Sequence, residues 1–271
     1  MKLNHRRCGD GPPMLLVHGT GASAETWEPV MDLLTTRHTV IAIDLPGFGS
    51  SPPLPAGTPP TIPTMAKVLA EWMDEEELTR PHVAGYSLGG GIALELARLD
   101  RVQSVTAFSP VGFWTRLGFA YGALSLRVTY RGAKLIDPIA PSLLGNRLVR
   151  TLMLAQAHGR PWRLSGEAAV RNSRTLIAAP AFFDQIDAAK EYRVAEFDPV
   201  PASPITIAWG KRDWLLPRTQ FRRAKRILPY ANFISLPGCG HVPTADDPEL
   251  IAGVILRHGM GGPPVPLLEW T

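Results

Sequence analysis

His82-Val83-Ala84-Gly85-Tyr86-Ser87-Leu88-Gly89-Gly90-Gly91 is the stretch from which the rest of the chain can be read. Val83 and Ala84 close a short apolar run, and glycines flank Ser87 two residues to either side. Ile92, Leu96 and Leu99 then recur at helical spacing, with Ala93 and Ala97 small enough for close packing. The pattern predicts a strand, a tight turn and the start of a helix. A serine at the apex of such a turn is held in a strained backbone conformation that pushes its hydroxyl outward. Larger side chains two positions away would collide with the neighbouring backbone, so glycine is required there. The helix behind the turn aims free N–H groups and its positive dipole end at the site, which suits a developing anion. Gly-x-Ser-x-Gly by itself is common in ordinary turns; the strand before it and the helix after it give it weight.

Apolar runs of the kind found in doubly covered parallel strands lie on both sides of this stretch. Upstream are Met14–Val17 and Val40–Ile43; downstream are Val102–Phe108, Ile205–Trp209 and Asn232–Leu236. Helical patterns separate them. Trp27, Val30, Met31 and Leu34 share one face, with Pro29 tolerable only in a first turn. Thr64 is placed to cap a helix carrying Met65, Val68, Leu69, Trp72 and Met73, after a proline-rich loop over 52–63. The acidic run Asp74 to Glu77 at its end reads as a solvated face. Phe221, Ala224, Ile227 and Leu228 mark another helix, and Asp247 with Pro248 opens a closing one. Strand alternating with helix implies an α/β fold: a mostly parallel sheet with helices on both faces and right-handed crossovers.

The alternation breaks between about Phe113 and Pro201. No buried-strand signal occurs there, and Leu117–Tyr130, Asn146–Ala157 and Glu167–Ala178 look helical. The expected organisation is a core of residues 1–112 and 201–258, a helical cap over 113–200 inserted after the fourth parallel strand, and a Gly/Pro-rich tail over 259–271. The insertion carries Arg116, Arg127, Arg131, Arg147, Arg150, Arg160, Arg163, Arg171, Arg174 and Arg193. Solvated helix faces account for them; the sharper alternative is that some face a cleft and favour an anionic substrate.

Composition sets the outer limits. The 271 residues allow one sizeable core plus an insertion, and 45% apolar with 19% charged residues is an ordinary globular balance. A net charge of +4, without a basic run interleaved with aromatics, gives no case for nucleic acid. The two cysteines, Cys8 and Cys239, make neither a disulfide framework nor a metal site. Lys2, Arg6 and Arg7 are followed by Cys8-Gly9-Asp10-Gly11 instead of an apolar segment, so no signal peptide is read. No apolar stretch reaches the roughly 18 residues of a spanning helix. The expectation is a soluble, cytoplasmic protein acting on a small molecule, without metal or organic cofactor and of undetermined oligomeric state.

Ligands and reacting groups of open parallel sheets collect at the carboxyl ends of strands. Four features fall there: the loop His18-Gly19-Thr20-Gly21, Ser87, Asp213 after Trp209-Gly210-Lys211-Arg212, and His241 after Pro237-Gly238-Cys239-Gly240. A serine hydroxyl needs an adjacent base. His241 suits that role because imidazole titrates near neutrality, and Asp213 suits the task of holding its tautomer. His5, His38, His82, His158 and His258 do not follow a buried strand in a glycine turn. His18 does, but beside Gly19 it reads as ordering the loop. Asp44 is best explained by bonds to backbone N–H groups of the turn at Pro46 and Gly47, and Asp246 and Asp247 by helix capping.

These motifs, together with Asp44-Leu45-Pro46-Gly47-Phe48-Gly49 and Gly85-Tyr86-Ser87-Leu88-Gly89-Gly90, make the chain resemble the α/β-hydrolase superfamily from about Leu15 to His258. The resemblance implies Ser87 as nucleophile, His241 as base and Asp213 as its orienter. It implies an oxyanion hole from the backbone N–H groups of Thr20 and Leu88, a substrate-binding position at Gly21, and a lid formed by 113–200. One departure concerns the start. Members usually begin with a strand pair before the His-Gly loop, and here the first strand is missing, although Lys2 to Arg7 has the look of an edge strand. Related dehalogenases and epoxide hydrolases carry an aspartate where Ser87 stands. The serine therefore favours hydrolysis of small to medium, largely apolar carboxylic esters through an acyl-enzyme. Alternatives are carbon–carbon hydrolysis of diketone-like acids, with lid arginines binding the carboxylate, a cofactor-free perhydrolase or haloperoxidase-like reaction, and a ligand sensor of the same fold. Phe113, Trp114 and Trp214 lie next to strand ends and either line the substrate pocket or pack the lid hinge.

Overall fold

A computed structural model describes residues 1–195, 197 and 199–258 of the chain; the expected tail over 259–271 lies outside the described residues. From the second strand onward the first half alternates strand with helix. It runs β1 (His5–Cys8), β2 (Pro13–Val17), α1 (Glu28–Thr35), β3 (Thr39–Ile43), α2 (Ile62–Glu75), β4 (His82–Tyr86), α3 (Leu88–Arg98) and β5 (Ser104–Phe108). Five helices follow: α4 (Arg116–Ile136), α5 (Ala140–Gly145), α6 (Arg147–Leu154), α7 (Gly166–Ala178) and α8 (Phe182–Ala188). The chain then returns to the sheet with β6 (Ile205–Gly210), α9 (Arg218–Ile227), β7 (Asn232–Leu236) and α10 (Pro248–His258).

The strands form one seven-stranded sheet in the order β1-β3-β2-β4-β5-β6-β7. All neighbours run parallel except β1, which pairs antiparallel with β3 through His5↔Ile43 to Cys8↔Val40. Every residue of β4 and β5 is buried, as expected of central strands covered on both faces. On one face Leu69, Trp72, Leu94 and Phe221 bring α2, α3 and α9 onto the sheet. On the other, Trp27, Leu34, Ile251 and Ile255 bring α1 and α10. The strand order reverses beside β2: β3 lies on one side of it and β4 on the other. A crevice opens at such a switch point, outside the carboxyl ends of the strands. The His18 loop leaves β2 there, and Ser87 leaves β4.

Three expectations change. The first strand is present: β1 forms the sheet edge at His5–Cys8, too short and polar to carry a buried-strand pattern. Helix α2 begins at Ile62, two residues before Thr64. Thr61 is its cap, accepting the Thr64 N–H at 3.2 Å, and Pro63 falls in the first turn, where a missing N–H costs nothing. The segment between β5 and β6 contains α5 and α8 as well as the three expected helices. They have 6 and 7 residues, too few for a helical period to show.

Candidate active site

Ser87 has φ 55° and ψ −117° at the head of α3, a left-handed conformation that a serine adopts only under constraint. The constraint is packing. A Cβ on Gly85 would lie 2.3 Å from the Gly89 carbonyl oxygen, and one on Gly89 would lie 2.1 Å from the Val17 carbonyl oxygen. Strand β4, the turn and strand β2 therefore meet backbone to backbone. The Ser87 N–H donates to Phe108 O at 2.9 Å, and Ser87 O accepts from Gly91 and Val111, so the turn is tied to β5 as well.

His241 and Asp213 meet 28 residues apart in sequence. His241 Nδ1 donates to Asp213 Oδ2 at 2.9 Å, with both side chains almost fully buried. The other carboxylate oxygen, Oδ1, accepts the N–H groups of Leu215 at 3.0 Å and Leu216 at 2.8 Å. The backbone thus fixes the carboxylate, and the carboxylate fixes the ring. With its proton on Nδ1, the imidazole keeps Nε2 free as a base. Cys239, on the same loop, is no rival nucleophile, since burial first and then Asp246 and Asp247 push its thiol up to about 12.

The loop after β2 is set by His18. Its Nδ1 donates to Gly19 O at 2.7 Å, and its Nε2 accepts the Leu45 N–H at 2.9 Å. Accepting at Nε2 needs a neutral ring, and burial lowers His18 to about 4. Asp44 anchors the neighbouring turn: Oδ1 accepts the Ala24 N–H at 2.7 Å, and Oδ2 accepts the Ser50 N–H and the Asn4 side chain, each at 2.8 Å. The Gly19 position approaches the elbow closely enough that a Cβ there would sit 3.1 Å from Ser87 Cβ. Thr20 Oγ1 donates to Gln185 Oε1 at 3.1 Å, joining the loop to α8. Leu88 is the first residue of α3, where backbone N–H groups have no partner within the helix.

Asp246 has a structural part that the sequence reading did not assign. Capping belongs to Asp247, whose Oδ1 accepts the Leu250 N–H at 3.3 Å. Asp246 is fully buried and accepts the N–H groups of Gly159 at 2.8 Å, Arg160 at 2.7 Å and Gly240 at 2.8 Å. One carboxylate therefore ties the residues just before His241 to the helical segment. The Val242 N–H to Ala157 O bond, 2.8 Å, and the Arg212 side chain to Gly159 O bond, 2.9 Å, reinforce the junction. In sequence Pro248 marks Asp247 as the cap, but nothing local assigns Asp246 its separate part.

Two cavities meet at Ser87. One, of about 330 Å³, is lined by Gly19, Thr20, Gly21, Ser87 and His241 together with α4, α6 and α7 residues. The other, of about 40 Å³, is lined by Thr20, Ser87, Leu88, Trp114 and Phe119 among others, and lacks His241. Both walls are mainly aliphatic and aromatic. Phe113 lines neither: it is fully buried in the core beneath. Trp214 lines neither and is 66% exposed, so of the three aromatics only Trp114 reaches a cavity. None of the ten arginines of the helical segment lines either cavity. Arg127, Arg160, Arg171 and Arg174 pair with Asp187, Asp247, Glu28 and Asp137, and Arg150 turns inward onto the carbonyls of Leu144 and Gly145. His158, set aside in the sequence, lines the larger cavity; burial lowers its pKa.

Known proteins can be set beside this geometry. The model of the Alpha/beta hydrolase family matches residues 14–254. The chain is 42% identical over 118 residues to the dihydrolipoyllysine-residue acetyltransferase component of acetoin cleaving system from Cupriavidus necator; the match covers 43% of this chain and 31% of that protein, less than a third of its length. It is 29% identical over 261 residues to haloalkane dehalogenase 2 of Mycobacterium bovis, covering 92% of this chain and 88% of the relative. A thermophilic esterase from Thermogutta terrifontis, solved with malate bound, superposes with a TM-score of 0.71 at 22% identity, over 94% of this chain and 92% of that one.

Proposed function

The chain belongs to the alpha/beta hydrolase family, and within it we propose that it is a serine hydrolase of small to medium, largely apolar carboxylic esters, with Ser87 as nucleophile, His241 as base and Asp213 as its orienter. The observation that carries this reading is that Ser87, strained at the head of α3, lines one cavity with His241, whose Nδ1 is held by Asp213 at 2.9 Å.

In the proposed reaction Ser87 Oγ bonds to the ester carbonyl carbon as its proton passes to His241 Nε2. The carbonyl oxygen becomes an anion received by the backbone N–H groups of Thr20 and Leu88; each such donor is worth on the order of 10²–10³ in turnover. The bond to the alcohol oxygen breaks, and that oxygen takes the proton from His241. Water then attacks the acyl-enzyme, giving its proton to His241, and release of the acid returns the proton to Ser87. Residues 113–200 act as the cap over this site, and their helices supply much of the larger cavity's wall.

The substrate class follows from the walls. The walls are mostly apolar, although Thr129, His158, Asn172 and Ser173 also line the larger cavity, and none of the cap's ten arginines reaches either. A carboxylate-bearing diketone would find no guanidinium there to hold its charge, which favours neutral esters over carbon–carbon hydrolysis of diketone-like acids. The test is hydrolysis of p-nitrophenyl esters of increasing acyl length by the protein and by Ser87→Ala. The expected result is turnover with a clear length optimum that falls at least about 10⁴-fold in the variant. Undiminished turnover in Ser87→Ala would remove the serine from the mechanism.

A further inference from the structure

We propose that Ser87 divides its substrate between two compartments of unequal size, so that the preferred esters join a short acyl group to a bulky apolar alcohol. The proposal rests on the ester-hydrolase reading and adds which half of the ester goes where.

The direction follows from the proton. The departing alcohol oxygen takes its proton from His241, so the alcohol must lie on the His241 side of Ser87. His241 lines the cavity of about 330 Å³ and is absent from the one of about 40 Å³. The acyl carbon stays bonded to Ser87 Oγ, and its chain points away from the departing group. Leu88, one of the two proposed oxyanion donors, lines the smaller cavity and not the larger, and His241 lines the larger and not the smaller. The acyl chain therefore enters the smaller compartment, against Trp114, Phe119 and Leu216.

Size sets the class. One water-sized group occupies roughly 10–15 Å³ in this measure. The smaller compartment has room for about three such groups, an acetyl or propionyl chain, and the larger for about twenty or more. Most of the larger wall is small and aliphatic, as at Gly132, Ala133, Leu164 and Leu176, with Asn172 and Ser173 as polar points on it. That surface suits a medium alkyl chain or an apolar ring.

Two isomeric esters test the partition on the unaltered protein. Octyl acetate and methyl nonanoate share atoms and overall polarity and differ only in where the carbonyl sits. The expected result is a kcat/KM for octyl acetate at least about tenfold above that for methyl nonanoate, since each misplaced methylene is discriminated by roughly 10-fold or more. Phe119→Ala, which enlarges the smaller compartment, should shift the ratio toward methyl nonanoate by about tenfold. Equal or reversed preference in the unaltered protein overturns the partition while leaving ester hydrolysis intact. Cleavage of neither isomer overturns the partition and the ester reading together.

Discussion

The backbone N–H of Leu45 donates to His18 Nε2 at 2.9 Å, joining the loop after β2 to the turn after β3. The bond exists only while that nitrogen is unprotonated. His18 therefore serves as a neutral strut that fixes Gly19 and Thr20 next to Ser87. Protonation would put two N–H groups face to face at a fully buried side chain.

Stability should follow that proton. The folded pKa of His18 is lowered to about 4, against 6.5 for the free side chain. Between those values the unfolded chain binds a proton that the folded one does not, so stability rises with pH across this window. The contribution is present above pH 6.5 and is lost as pH falls toward 4, by about 3 kcal/mol in all. Urea unfolding at pH 7.5 and 4.5 measures it. His18→Gln should be less stable at pH 7.5 and should lose distinctly less on acidification than the unaltered protein.

Asp213→Asn should abolish most activity without unfolding the chain. The asparagine Oδ1 can still accept from Leu215 and Leu216. Its amide, however, donates to His241 Nδ1 and moves the ring proton to Nε2, where the base is needed. A fall in kcat of about 10⁴-fold with an unchanged urea midpoint is the expected pair of readings.

Asp246→Ala should act on stability and on the site together. It strips the acceptor from the buried N–H groups of Gly159, Arg160 and Gly240. A loss of about 3 kcal/mol is expected from such orphaned donors. Ester turnover should fall through kcat, because the loop that carries His241 loosens. Unchanged stability would mean that water replaces the carboxylate at no cost.

Two glycines should respond in opposite directions. Gly89→Ala drives a methyl group to 2.1 Å from Val17 O and should prevent the elbow from forming. Gly132 lies within α4, where an added Cβ meets nothing within 4 Å. Gly132→Ala should stabilise the protein by about 0.5–1 kcal/mol, read as a raised Tm.

Much of this is legible in the sequence alone, for physical reasons. Strands buried on both faces read as continuous apolar runs, so Met14–Val17 and Val40–Ile43 announce a parallel sheet, and the groups that follow such strands fall at one edge. The contact of Asp213 with His241 is consistent with that edge. What was hidden depends on three-dimensional proximity. Phe113 and Trp114 are adjacent in sequence, yet one is core and the other faces a cavity. Trp214 follows a strand end but points outward. Asp246 owes its separate part to the N–H groups that converge on it, two of them more than 80 residues away. The helices α5 and α8 are too short to repeat a pattern, and β1 is an edge strand with too little burial to leave one.

The central claim is that Ser87 carries the acyl group. Mixing the protein with p-nitrophenyl acetate, quenching in acid within the first turnovers and mapping the adduct by peptide mass spectrometry tests it directly. An acetyl group on Ser87, absent from Ser87→Ala, is the expected result. An acetyl group on another residue that forms and decays at the rate of turnover, with Ser87 unmodified, would contradict it.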